Sequence, residues 1–81
     1  MEIQEPIRQY ILENFMYSDN AAELSDGLSL IDSGIMDSTG VLELVGFIEE
    51  TFEIKIEDTE LVPENFDSVQ RITDFIQRKL G

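Results

Sequence analysis

The amino-acid sequence predicts an all-α fold, a small four-helix bundle of three long helices and one short third helix. Two observations carry this expectation. Apolar residues recur at spacings of three and four in three separate stretches, the pattern of helices that each bury one stripe. The stretches are joined by loops of unequal length, and helices so patterned must bury their stripes against one another. Residues 1–81 read as one domain, because a chain of 81 residues is too short for two cores. Its 42% hydrophobic content is enough for a folded core, though a thin one with marginal stability.

The first helix is expected over residues 3–16, where Ile3, Ile7, Tyr10, Ile11 and Phe15 form the stripe. Pro6 falls in its first turn, where proline is tolerated. Residues 17–37 are rich in Ser, Asp, Asn and Gly and read as a long loop punctuated by Gly27 and Gly34. Leu24, Leu28, Leu30, Ile31, Ile35 and Met36 are scattered through it, so the loop is expected to pack onto the core. The second helix covers residues 38–52, with Val41, Leu44, Val45, Ile48 and Phe52 on one face and Leu42 beside it. Residues 53–57, EIKIE, alternate like a strand but are too short and isolated for a sheet, and read as an extended connection. Residues 58–61 are expected to make one helical turn that Pro63 does not continue. The last helix covers residues 68–80, with Val69, Ile72, Phe75, Ile76 and Leu80 inward.

Composition narrows the function. Acidic residues number 18 against 5 basic, a net charge of −13. Such a field repels nucleic acid and anionic membrane surfaces and attracts basic protein surfaces. There is no cysteine for a disulfide or a thiolate metal site. There is also no histidine, so neither a Ser-His-Asp nor a Cys-His site can be built. A carboxylate pair needs a cleft, for which a chain this short leaves little room, and the chain is not expected to be an enzyme. No stretch has the ligand spacing of a calcium-binding EF-hand loop. The first residues lack the basic and apolar regions of a signal peptide, and no run is long enough to span a membrane, so a cytoplasmic monomer is expected.

Three Asp-Ser pairs are the candidate local features. Asp67-Ser68 reads as a helix start, with Asp67 as cap and Gln70 three residues on, like a capping box. Asp32-Ser33 precedes Gly34 and reads as a turn whose side chains bond back to their own backbone. Asp37-Ser38 differs. With Asp37 as the cap, the capping-box position falls on Gly40, which has no side chain to reach back, while Met36 and Val41 can staple the turn. Asp37 then caps alone, and the Ser38 hydroxyl is left free in the first turn. Gly40 and Gly46 each cost a helix about 1 kcal/mol relative to alanine, so stability alone does not explain this helix. A helix N-terminus carries partial positive charge and unpaired N–H groups, which makes Ser38 a physically sensible place to attach a phosphodiester.

The stretch LIDSGIMDSTGVLELVGFIEETFEI, residues 30–54, resembles acyl carrier proteins and the related peptidyl carrier domains. In that family an Asp-Ser pair follows a glycine-containing loop and opens the second of four helices. The resemblance implies that Ser38 carries a covalent 4′-phosphopantetheine, whose thiol holds acyl or aminoacyl groups as thioesters. It implies that Asp37 caps the helix and aids recognition by a phosphopantetheinyl transferase. Glu43, Glu49 and Glu50 fall where the family places acids that dock basic patches on loading enzymes and synthases. Thr39 stands where the family usually has Leu or Met, which alters one apolar partner contact. Gly40 and Gly46 fall where the family often has larger residues facing partners or the mouth of an acyl cavity. Residues 61–80 look like the family's third and final helices.

The reading that follows is a carrier of acyl intermediates in a specialised fatty-acid, polyketide or related pathway. An aminoacyl or peptidyl carrier, alanyl carriers included, is the alternative within the family. The alternative from another class is an acidic helical interaction module with no prosthetic group.

Overall fold

A computed structural model describes residues 2–17 and 24–81. Helix α1 spans Gln4–Ile11 and runs into a wider π-helical turn, Leu12–Met16. Helix α2 spans Ser38–Phe52, the single-turn α3 spans Pro63–Phe66, and α4 spans Val69–Leu80. A short 3-10 turn, Asp58–Glu60, precedes α3. The all-α expectation therefore holds, and no strand occurs among the described residues.

The stripes of α1, α2 and α4 meet in one core. Ile7, Ile11, Leu44, Ile48, Ile72 and Ile76 are fully buried. Each such side chain removed from water contributes about 2 kcal/mol before the entropy of ordering is counted. Leu12 joins them although the three-and-four spacing omits it. A π turn rotates less per residue than an α turn, so the neighbours Ile11 and Leu12 both reach the core. Tyr17, in the left-handed conformation at φ 52°, ends this segment.

Beyond α2 the chain follows expectation as far as Glu60. Glu53 adopts φ 56° and stops the helix. Residues 54–57 then run without helical turns, with Ile56 buried and Lys55 and Glu57 exposed. The 3-10 turn stops before Pro63, as expected of the turn at residues 58–61. Pro63 itself begins a separate helix, α3, because a proline in the first helical position lacks only an N–H that has no partner there. Its helix delivers Phe66 to the core, 5.2 Å between ring centres from Phe75.

The cap of α4 departs from expectation. Ser68, not Asp67, is the cap, and its hydroxyl accepts from the Arg71 N–H at 3.1 Å. The Gln70 side chain turns away to donate to Asp74 at 2.9 Å. Leu80, expected inward, is 41% exposed at the chain end. Lys79 pairs with Glu60 at 2.9 Å and ties α4 to the 3-10 turn. A hydrogen bond from the Glu57 N–H, and then Lys79, hold the Glu60 carboxyl below its usual range.

The loop before α2 packs on the core through Leu24, Leu30 and Met36, as its apolar content predicts, while Ile31 points outward. Polar groups hold it at two places. The Arg8 guanidinium donates to the Leu24 carbonyl and the Asp26 carboxylate. Asp67 gathers the middle of the loop: its carbonyl accepts from the Leu30 N–H at 2.7 Å, and its carboxylate accepts from the Ser29 hydroxyl at 2.9 Å and the Ile31 N–H at 3.0 Å.

The two glycines of α2 sit in opposite surroundings. A Cβ on Gly40 would lie 2.8 Å from Phe15 Cε1 and 2.9 Å from Met36 Cγ, closer than packed carbons approach. A Cβ on Gly46 would meet nothing within 4 Å. Opposite signs are therefore expected in urea denaturation. Gly46→Ala should stabilise the protein by about 1 kcal/mol, the helix-propensity gain. Gly40→Ala should destabilise it by about 1–2 kcal/mol, because overpacking outweighs that gain.

Candidate functional site

The site begins where the loop ends. The Met36 N–H donates to the Leu30 carbonyl at 3.0 Å, which folds residues 30–36 into a closed turn. Asp32-Ser33 lies inside it, as expected of a turn. The Ser33 hydroxyl donates to the Leu30 carbonyl at 3.3 Å, and Gly34 takes φ 80°, which suits glycine. Met36 is buried and Asp37 turns extended, with φ −115° and ψ −171°. One Asp37 carboxylate oxygen accepts from the Gly40 N–H at 2.8 Å, and its carbonyl accepts from the Val41 N–H at 2.9 Å. Asp37 is thus the lone cap that the sequence implies.

Ser38 is the first residue of α2, and Ser38 and Thr39 are both exposed. Their N–H groups lie in the first turn, ahead of the helix's own hydrogen-bond ladder, where the helix dipole favours negative charge. The Ser38 hydroxyl is thus open to solvent at the positive end of a 15-residue helix. Ser68 contrasts with it. Ser68 is 3% exposed and its hydroxyl is engaged as a cap. Of the three Asp-Ser pairs, only the Asp37-Ser38 pair presents a serine hydroxyl that is both exposed and outside a described hydrogen bond.

Beside Ser38 lies a cleft of about 370 Å³, lined by Ile31, Val41, Leu42, Leu61, Val62, Pro63 and Phe66 together with Asp37 and Ser38. The sequence leaves little room for a cleft, and local periodicity gives no sign of this one. It forms because the α3 turn, more than twenty residues later in the chain, comes to lie alongside the start of α2. Leu42, expected beside the core stripe, is 60% exposed at this cleft. Among the described residues, Asp37 is the only carboxylate in the lining. No cluster of metal-ligating side chains occurs among the described residues.

The structure separates residues that the sequence groups together. Gly40 does not face outward. It is buried under Phe15 and Met36 and lets the loop close onto the first turn of α2. Its spacing from Leu44 and Ile48, four and eight residues, already places it on the buried stripe. Glu43 and Glu50 are exposed on α2, but Glu49 is half-buried and its carboxylate accepts from the Ile56 N–H at 2.8 Å. Glu49 therefore fastens the connection after α2 instead of standing free beside its neighbours. Tyr10 reaches across from α1, stacks on Phe47 at 4.2 Å and donates to the Glu43 carbonyl at 3.4 Å. Burial, and then the Glu43 carboxylate, push the Tyr10 hydroxyl above the usual tyrosine range. Residues 9–54, which include all of α2, contain no lysine or arginine.

The exposed Ser38 hydroxyl stands at a capped helix start, next to Asp37, whose carboxylate is engaged by the Gly40 N–H. It can receive a group that another protein transfers. No protein-family model matches the chain. It is 29% identical over 73 residues to the D-alanyl carrier protein of Streptococcus pyogenes serotype M5, covering 88% of this chain and 91% of that protein. Over the same span it is 27% identical to the D-alanyl carrier protein of Streptococcus uberis. The chain is thus similar to D-alanyl carrier proteins along most of its length.

The Asp37 cap has a measurable consequence. Asp37→Ala leaves the Gly40 N–H without its acceptor and should lower stability by about 1 kcal/mol in urea denaturation. Asp37→Ser, which can still cap, should recover most of that loss.

Proposed function

We propose that Ser38 carries a covalent 4′-phosphopantetheine and that the chain transports an alanyl group as a thioester. The observation that carries the attachment site is the exposed Ser38 hydroxyl in the first turn of α2, beside the Asp37 cap. Relatives named as D-alanyl carrier proteins, matched along nine-tenths of their length, favour the alanyl alternative over a specialised fatty-acid or polyketide pathway. The residues present fit the group. The first-turn N–H groups and the helix dipole suit its phosphate, and the apolar cleft starts at Ser38 itself. The thiol of the bound group supplies the thioester chemistry, and the protein supplies attachment and address.

Asp37 holds the turn that presents Ser38 and gives the transferase an acidic contact next to the hydroxyl. Glu43 and Glu50, with Thr39 on the same exposed turns, are the docking surface for basic patches on the transferase and on the enzyme that loads the alanyl group. The protein acts in the cytoplasm, is not itself an enzyme and works as a monomer. Among the described residues no helix is long and apolar enough to cross a membrane.

Two experiments test this reading. Co-expression with a phosphopantetheinyl transferase should add the mass of one arm to the chain. Ser38→Ala should abolish the gain, and Ser68→Ala should keep it. An interaction module without a prosthetic group predicts no mass gain in any of these. Raising ionic strength should raise the KM of the loading reaction several-fold if α2 docks electrostatically. The double variant Glu43→Gln/Glu50→Gln should weaken loading at low salt and flatten its salt dependence.

A further inference from the structure

We propose that Asp67, at the start of α4, is a positioning residue for Ser38, on the reading that Ser38 receives the arm. Asp67 leaves the capping of α4 to Ser68, so its carboxylate serves another element. Both of its oxygens accept from the Ser29 hydroxyl at 2.9 Å, and one also accepts from the Ile31 N–H at 3.0 Å. Its carbonyl accepts from the Leu30 N–H at 2.7 Å. One residue thus takes hydrogen bonds from three successive loop residues. The Ser29 hydroxyl, held in this way, in turn accepts from the Asp32 N–H at 3.1 Å.

The path continues to the site without a gap. The Leu30 carbonyl, in the clasped segment, accepts from the Met36 N–H at 3.0 Å. Met36 is buried against Gly40, where its Cγ occupies the space a Cβ would need. Gly40 donates its N–H to Asp37, the residue that precedes Ser38. Ile31, inside the clasp, and Ser38, at the path's end, line the same cleft. Releasing the Asp67 carboxylate removes the Ser29 and Ile31 bonds. Among the described residues, the loop is then left on α4 through the Leu30 N–H to Asp67 carbonyl and Gln70 N–H to Asp26 carbonyl bonds alone. The loosened first turn of α2 then samples arrangements in which the hydroxyl is not presented. A partner that binds only the presented form sees an affinity reduced by the fraction presented.

The test uses the full-length chain with a phosphopantetheinyl transferase and coenzyme A. Asp67→Ala should raise the KM for the chain roughly tenfold while kcat at saturation is kept. Asp67→Asn, which retains one acceptor oxygen, should lie between. Ile76→Val, a core change in α4 away from the clasp, is the control, and it should lower the melting temperature but leave KM unchanged. An unchanged KM in Asp67→Ala, or an equal rise in Ile76→Val, overturns the proposal.

A second readout does not depend on loading. Amide hydrogen exchange at Gly40 and Val41, whose N–H groups bond to Asp37, should quicken in Asp67→Ala and Asp67→Asn beyond any change in Ile76→Val. Unaltered exchange there overturns the coupling. If the unaltered chain takes no arm but the exchange result appears, the attachment reading fails and the coupling of Asp67 to the first turn of α2 stands.

Discussion

The Asp67 clasp is the interaction on which the arrangement around Ser38 depends. A three-helix core could form from α1, α2 and α4 by stripe burial alone, because that burial is non-directional. It would leave the loop between α1 and α2 free to enter α2 from many angles. Directional bonds remove that freedom. Asp67 takes three loop residues onto the N-terminal end of α4, and Arg8 holds the loop near Leu24 and Asp26 from the side of α1. The loop is thus fastened to two helices before it reaches the third. Hydrogen bonds to charged groups contribute about 1.5–3 kcal/mol each, enough to choose between loop arrangements that bury similar apolar area.

Gly40 completes what the clasp begins. The loop can close on α2 only if Met36 and the Phe15 ring approach the helix backbone directly, and any Cβ at position 40 would stand in the way. The helix gives up about 1 kcal/mol of propensity there and gains a seated first turn. Phe15 belongs to the π-helical turn that also brings Leu12 to the core, so the irregular end of α1 and the glycine of α2 form one packing solution. Gly46 has no such neighbour. It lies exposed near Glu43 and Glu50, where it leaves that face of α2 low and open to an approaching surface.

Charge is distributed to match. Arg8 and Lys79 are committed to ion pairs, and Arg78 donates to the Asn65 side chain. None of the basic residues lies between positions 9 and 54. Helix α2 therefore carries acidic side chains and no basic residue of its own, which suits recognition by basic surfaces. The apolar cleft beside it adds a short-range contact to that long-range field.

The amino-acid order by itself determined the helical class, the bounds of α2, the Asp37 cap and the exposure of Ser38, because each is a local matter of period, turn residues and hydrogen-bonding chemistry. It also signalled that the loop would pack, through its many apolar residues. Tertiary structure decided the rest. Asp67 and Ser68 are both good caps, and only the position of the loop assigned the cap to Ser68 and the clasp to Asp67. Glu43, Glu49 and Glu50 look alike along the chain, yet Glu49 alone meets the backbone of Ile56. Pro63 could end one turn or begin another, and burial of Phe66 against Phe75 settled that it begins α3. The cleft at Ser38 arises from the approach of segments distant in sequence, which no local pattern encodes.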